Sequence, residues 1–195
     1  MTRAADPRGR LLDAALAVVD SDGIRGLTHR RLEDEAGLAR GSARYHLGTN
    51  DQIIAATLEH VALRDLRIVE AVLNRLGLDA LTGTKPSIPK MAAVMVSTLM
   101  ENPGAIRARF ELLLESTRRP FLKAEAQRWR AQFLDTTERG LMAAGLDDPH
   151  SAAMLMSALF DGLTLDAVIT DRTTAPELAE RGAAAILDAS RITKG

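Results

Sequence analysis

The sequence predicts an all-α protein of about nine helices. Apolar residues recur three and four positions apart over most of the 195 residues, which is the period of a helix with one buried face. The composition agrees: hydrophobic residues make up 46% but aromatics only 3%, an Ala- and Leu-rich balance that favours helix over sheet. So does the punctuation, since cap-plus-proline pairs (Asp6-Pro7, Asn102-Pro103, Asp148-Pro149) open stretches that glycines such as Gly23, Gly37 and Gly145 close.

In chain order, helix one starts at Asp6-Pro7 and ends near Gly23, with Leu12, Ala15, Leu16 and Val19 as its stripe. Thr28 is an N-cap for a short helix to Ala36, in which Leu32 and Ala36 share a face, and Gly37 supplies the stop. A third short helix from about Arg40 buries Ala43 and Leu47 and turns Arg40, Ser42, Arg44 and Tyr45 outward. Thr49 and Gln52 have capping-box spacing and start a long fourth helix, from Asp51 to Leu76, closed by Gly77. Residues 78–90, rich in Gly, Pro and Thr, read as the main loop. Further helices are expected from about Pro89 to Glu101, from Pro103 to about Thr117, from Phe121 to Ala144 and from Pro149 to about Thr170. A Thr174–Glu177 capping box opens the last one, which runs to about Ala189.

Two short helices joined by Ala36-Gly37-Leu38, with donors crowding the second and no acid between Leu38 and Asn50, form a helix-turn-helix pattern. Its outward groups suit phosphates and base edges. The formal net charge of −1 weighs against a nucleic-acid partner. Residues 1–50 hold eight Arg against seven Asp/Glu (+1), and the rest hold 17 Arg/Lys against 19 Asp/Glu (−2), so the contrast is weak. Position is more informative: the acids cluster at Asp20/Asp22 and Glu33/Asp34/Glu35, apart from Arg40 and Arg44, while Arg3, Arg8 and Arg10 are placed near the phosphates.

Several classes are excluded. With no Cys there is no disulfide framework and no Cys-based zinc or nucleophile site. The N-terminus lacks an apolar signal core, and no uninterrupted apolar run reaches the roughly 18 residues of a membrane span, so a cytoplasmic protein without a membrane partner is expected. His29, His46, His60 and His150 form no H-E-x-x-H, and no G-x-S-x-G, P-loop or dinucleotide fingerprint occurs. No catalytic, metal or cofactor site follows, and the protein is not expected to be an enzyme.

These residues resemble the tetracycline-repressor-like (TetR) family of transcriptional regulators. The resemblance runs from Gly9 to about Ile53 and rests on Arg10-Leu11-Leu12-x-Ala14-Ala15-Leu16, Gly23, Leu27-Thr28, Ala36-Gly37-Leu38-x-Arg40-Gly41-Ser42 and Tyr45-His46. It implies that Thr28, His46 and Asn50 meet phosphates and that Arg40, Gly41, Ser42, Arg44 and Tyr45 lie in the major groove. The family usually has Ser where Ala39 stands, an aromatic at Arg44, Phe at Leu47 and Lys at Asn50, so operator contacts are expected to be distributed differently here.

The resemblance also implies a helix-turn-helix DNA-binding domain over residues 1–50 and a ligand-binding and dimerisation domain over 51–195. Helices from Asp51 to Ala144 would enclose a pocket for an apolar or amphipathic effector. Met95, Phe110, Leu114, Trp129 and Phe133 would line it, with Met91, Met100, Leu113 and Met142, and Glu111 would orient the ligand beside Arg107 and Glu115. Ordinary core packing and a solvated, ion-paired face are the plainer readings of these residues.

The stretch from Ser151 to Ile169 is apolar on more than one face. It is either a central core helix, or one whose second face, with Ala158, Phe160, Gly162 and Leu163, joins Ala184 of the last helix and their copies in a homodimer. The expected function is a sequence-specific regulator, a repressor released from a palindromic double-stranded operator when a small ligand tilts the fourth helix. The alternative is a helical small-molecule-binding protein whose head has lost specific operator binding.

Overall fold

The computed structural model describes residues 6–81 and 87–192, with side chains over 6–75 and 87–189. Among these residues it has nine α-helices, one short 3-10 turn and no strand. The helices are α1 (Pro7–Asp22), α2 (His29–Ala36), α3 (Ser42–Leu47), α4 (Asn50–Leu81), α5 (Ile88–Met100), α6 (Pro103–Ser116), α7 (Pro120–Ala143), α8 (Pro149–Thr170) and α9 (Ala175–Ile192).

Several of the expected caps are made. Asp6 accepts from the Arg8 N–H, Thr28 from Arg31 at 3.2 Å and Asp148 from Ser151 at 3.1 Å. The box at the start of α4 is reciprocal: the Thr49 N–H donates to Gln52 Oε1 at 2.8 Å and the Gln52 N–H to Thr49 Oγ1 at 3.3 Å. Three boundaries differ from expectation by two residues or more, the first being the end of α9, at Ile192 rather than about Ala189. α4 passes through Gly77 to Leu81, because one glycine costs a helix only about 1 kcal/mol and no proline follows until Pro86. α3 starts at Ser42 rather than Arg40, because Gly41 takes φ +90°, a left-handed conformation outside the helix that glycine adopts without strain.

By their contacts the residues fall into two compact units, Met1–Leu63 with Gly104–Trp129, and Arg64–Pro103 with Arg130–Gly195. The first is organised around the α1 stripe. Leu11, Leu12, Ala15, Val18 and Val19 pack with Leu32 of α2, Ala43 and Leu47 of α3, Ile53, Leu58 and Val61 of α4, Ala108 and Leu112 of α6, and Leu122 and Ala126 of α7. Each fully buried Leu or Ile contributes about 1.5–3 kcal/mol relative to exposure, so α6 and the start of α7 belong to this unit although they follow residue 51. Ion pairing supports the same packing, since the Arg107 guanidinium donates from Nε and Nη2 to the two carboxylate oxygens of Asp20.

In the second unit α5 packs against α8 and α9, and α8 packs against α9. Gly182 permits the last of these contacts, since a Cβ there would lie 2.7 Å from Leu159 Cδ2. α8 is the one described helix long and apolar enough, by length and composition, to cross a bilayer. Its Ala152, Ala153, Met156, Phe160 and Ala167 are buried inside the unit, and Asp161 pairs with Arg130 at 2.8 Å, so those residues form a core face.

Candidate nucleic-acid interface

α2 and α3 meet across the turn Gly37–Gly41, and the joint is built by Glu33. Its side chain is only 3% exposed, and its Oε1 accepts from the Gly41 N–H at 2.9 Å and the Ala43 N–H at 3.1 Å. A short helix leaves its first N–H groups without internal partners, so one carboxylate on α2 satisfies two of them and ties α3 to α2. Sequence reasoning counted Glu33 only as one acid in a cluster. The available signal was its place next to Leu32 and one turn before Ala36, at the edge of the buried stripe.

The other acids near the turn are committed as well. Asp22 and Glu35 hold Arg31 at 3.0 and 2.9 Å, which raises the Arg31 pKa chiefly through the Asp22 hydrogen bond. Asp34 holds Arg40 at 2.7 Å. Neutralised in pairs, these acids repel an approaching phosphate less than their formal charge suggests. The partners of two arginines revise expectation. Arg10 donates to the Ala36 carbonyl and, at 3.3 Å, to that of Gly37, so it caps the C-terminus of α2. Arg40 lies in the turn rather than on α3, donates to the Arg30 carbonyl at 3.0 Å and pairs with Asp34, which holds its guanidinium against α2. Arg8 is exposed, and Arg3 lies outside the described residues.

What α3 turns outward is Arg44, Tyr45 and part of Ser42 and His46. Tyr45 is 85% exposed, and its ring meets that of His46 edge to face with centroids 4.8 Å apart. Arg44 is exposed and makes no side-chain hydrogen bond or ion pair among the described residues. Thr28 and Asn50 are exposed at the starts of α2 and α4. His29, unassigned from the sequence, closes the far side: its Nε2 lies 2.6 Å from the Gly48 carbonyl, tying the end of α3 to the start of α2.

The residues expected to line one ligand pocket are divided between the two units. Phe110, Glu111, Leu114 and Trp129 belong to the first unit, and Met95 and Phe133 to the second. The Glu111 carboxylate accepts from the Ile24 N–H at 2.7 Å and caps the 3-10 turn, while Leu114 is 64% exposed. Arg107 is spent on Asp20, and Glu115 on Arg119 at 2.6 Å, a bond that lowers the Glu115 pKa. Inside the second unit Met95 lines a void of about 30 Å³, room for about one water, with Val69, Leu73, Met91, Leu141 and Phe160 around it. An open cleft of about 770 Å³ adjoins it and shares Val72 and Met91 as wall.

Of the residues expected at a dimer seam, Ala158 and Gly162 are exposed, Leu163 and Ala184 are half-buried, and Phe160 is buried at 6% exposure. Phe160 therefore serves its own core. Met154, Leu155, Leu165 and Ile169 are exposed and continue the Ala158–Gly162 face along α8.

Comparison with known proteins follows this geometry. Residues 86–189 match the family model "Tetracyclin repressor-like, C-terminal domain". A stretch of 59 residues is 36% identical to the HTH-type transcriptional regulator BetI of Paraburkholderia xenovorans (strain LB400) and spans only 30% of the length of each chain. Among solved structures, the multidrug binding protein EbrR in complex with imidazole is 28% identical with a TM-score of 0.66, over 94% of this chain and 91% of that one. A TetR-family protein from Streptomyces coelicolor A3 is 27% identical with a TM-score of 0.74, over 93% and 98%. The regulator-like head read from the sequence and the family model that covers just over half of the chain describe different parts of one molecule, and together they establish that this chain belongs to the tetracycline-repressor-like family.

Proposed function

We propose that the protein is a sequence-specific DNA-binding transcriptional regulator that acts as a homodimer on a palindromic double-stranded operator and is released, as a repressor, by a small-molecule effector. The observation that carries this reading is α3 itself. It presents Arg44, Tyr45 and Ser42 outward with no acid between Leu38 and Asn50, and Glu33 anchors it from behind. Residues 1–50 would read DNA, with Thr28, His46 and Asn50 on phosphates and Ser42, Arg44 and Tyr45 at base edges. Gly41 would bring the backbone close, and Arg40 would need to leave Asp34 to join them.

Residues 51–195 would bind the effector and the second subunit. The apolar face of α8 supports the dimer, since its exposed Leu155, Leu165 and Ile169 are stabilised by covering one another across a two-fold axis. The EbrR complexes with imidazole and ethidium support an effector site, and the void beside Met95 offers a place that ligand binding would enlarge. α4 would carry the signal, because its residues belong to the first unit up to Leu63 and to the second from Arg64. A cytoplasmic location and the absence of catalysis are part of the same reading.

The test is selection of bound sequences from a random duplex library, followed by a salt titration on the winner. An enriched palindrome whose binding falls with a log–log slope of about −0.9 per phosphate neutralised supports the regulator. Weak binding without enrichment favours a small-molecule-binding protein that no longer reads an operator, a reading to which the Arg40–Asp34 pair lends weight.

A further inference from the structure

The void beside Met95 lies wholly within the second unit, walled by α4, α5, α7 and α8. α4 contributes Val69, α5 contributes Ala92 with Met91 and Met95, and α8 contributes Met156 and Phe160. α7 contributes Thr137, the one polar side chain among the described lining residues, and its hydroxyl already donates to the Phe133 carbonyl at 2.9 Å. No charged side chain lines the void among those residues. A buried water needs about two to four polar partners, so a space walled by carbon and sulfur suits it poorly. Such walls favour an apolar guest, which supplies the dispersion contacts that a void forfeits.

Charge is kept outside. The open cleft of about 770 Å³ between α4 and α5 also lies within the second unit, and it meets the void at Val72 and Met91. Arg64, Arg67, Arg75 and Glu101 line the cleft, and none of them lines the void. A charged guest passing inward would exchange water and those charged groups for walls that offer no counter-charge, whereas an uncharged apolar guest has nothing to give up. At about 30 Å³ the void must widen to admit a ligand. Met91, Met95 and Met156 allow this, because an unbranched thioether side chain repacks more readily than a branched one. Met91 is half-buried and belongs to both walls, so it is the side chain that a ligand pushes aside on entering.

We infer that the void is a binding site for a compact, uncharged, hydrocarbon-like molecule of about one aromatic ring, which enters from the cleft past Met91 and lies among Val69, Ala92 and Phe160. The assignment rests on the effector-binding reading above and adds the ligand's class: no net charge, and no hydrogen-bonding group that the walls would leave unsatisfied.

Isothermal titration calorimetry of the full chain with toluene, benzoate and benzylammonium, three probes of one ring and different charge, tests the proposal. Toluene is expected to bind at least about tenfold more tightly than either ion. Two substitutions fill the void from different helices: Ala92→Val adds two methyl groups from α5, and Val69→Ile adds one methylene from α4. Each is expected to weaken toluene by at least about tenfold, the effect of a single methylene in a closed apolar site. Melting curves identify the variants that keep the fold, and either one alone suffices for the test. Equal affinity for the three probes, tighter binding of an ion, no binding of toluene, or toluene binding unchanged in a folded filling variant would each overturn it. Operator binding by the same samples separates the two readings. A protein that selects its operator but ignores toluene defeats the void assignment alone. One that binds toluene in the void but selects no operator keeps the assignment and defeats the regulator.

Discussion

α3 and α8 each leave a face that their own unit does not bury, and the chemistry of the two faces is opposite. α3 turns out Arg44, Tyr45 and Ser42, hydrogen-bonding groups on a six-residue helix too short to be stable alone and held by Glu33 and His29 from its neighbour. α8 turns out Met154, Leu155, Leu165 and Ile169 around the small residues Ala158 and Gly162, on a 22-residue helix whose other face is core. Donors exposed to water cost little and wait for acceptors. Exposed apolar area costs about 25 cal/mol per Å² and is relieved only by another apolar surface. The same molecule thus offers one surface of hydrogen-bonding groups, the one proposed to read a nucleic acid, and one apolar surface, the one proposed to meet a second copy of the chain.

Substitutions at five positions would break or sharpen that contrast. The largest effect is expected from Leu155→Glu on α8, which would strand a charge in a dimer seam at a cost of about 3–5 kcal/mol. Analytical ultracentrifugation should then show monomer at concentrations where the wild type is dimeric, with unchanged helical circular dichroism. A variant that stays dimeric would show that the face is not the seam. Next comes Glu33→Ala, which takes the acceptor from the Gly41 and Ala43 N–H groups at the start of α3 and leaves the buried one, of Ala43, unsatisfied at about 1–3 kcal/mol. Its thermal midpoint should fall, and Glu33→Gln, which keeps an accepting oxygen, should recover much of the loss. Equal loss in the two variants would mean that packing rather than the hydrogen bonds fixes α3.

Arg44→Ala should remove about 1–3 kcal/mol of base discrimination and flatten operator preference in a competition assay, while His46→Ala should weaken all sequences alike. An unchanged preference would strip Arg44 of its reading role. The smallest effect lies at the start of α8, where the Glu138 carboxylate raises the pKa of His150 through a 2.9 Å hydrogen bond. A raised folded pKa stabilises the protonated form, so this contribution is complete below the unfolded value near about 6.5 and fades as pH rises through the folded one. The difference in melting temperature between wild type and His150→Gln should shrink over that interval, and a difference independent of pH would mean that the pair adds nothing through charge.

Much of the helix-turn-helix was legible because its signals are local. The Thr28 cap, the Gly37 stop at φ +61° and the reciprocal Thr49–Gln52 box each depend on residues within one turn, so spacing alone finds them. Partnerships of long side chains were less legible. Glu111 had the spacing of a surface ion pair and instead reaches Ile24, 87 positions away, and Phe160 read as a seam residue but turns into its own core. Arg40 shows the same at short range: the positive φ of Gly41 removes it from the helix and leaves its guanidinium to Asp34.

The amino-acid sequence by itself determined the all-α class, the order of the helices and nearly every start and stop, because caps, prolines and apolar period act within a few residues. Only the tertiary structure decided that α6 joins α1 in one core, that Arg10 and Arg40 serve the fold, and that Arg67 and Arg75 share an open cleft. Those outcomes depend on which surfaces meet when helices pack, and a side chain's partner is set by distance in space rather than by distance along the chain.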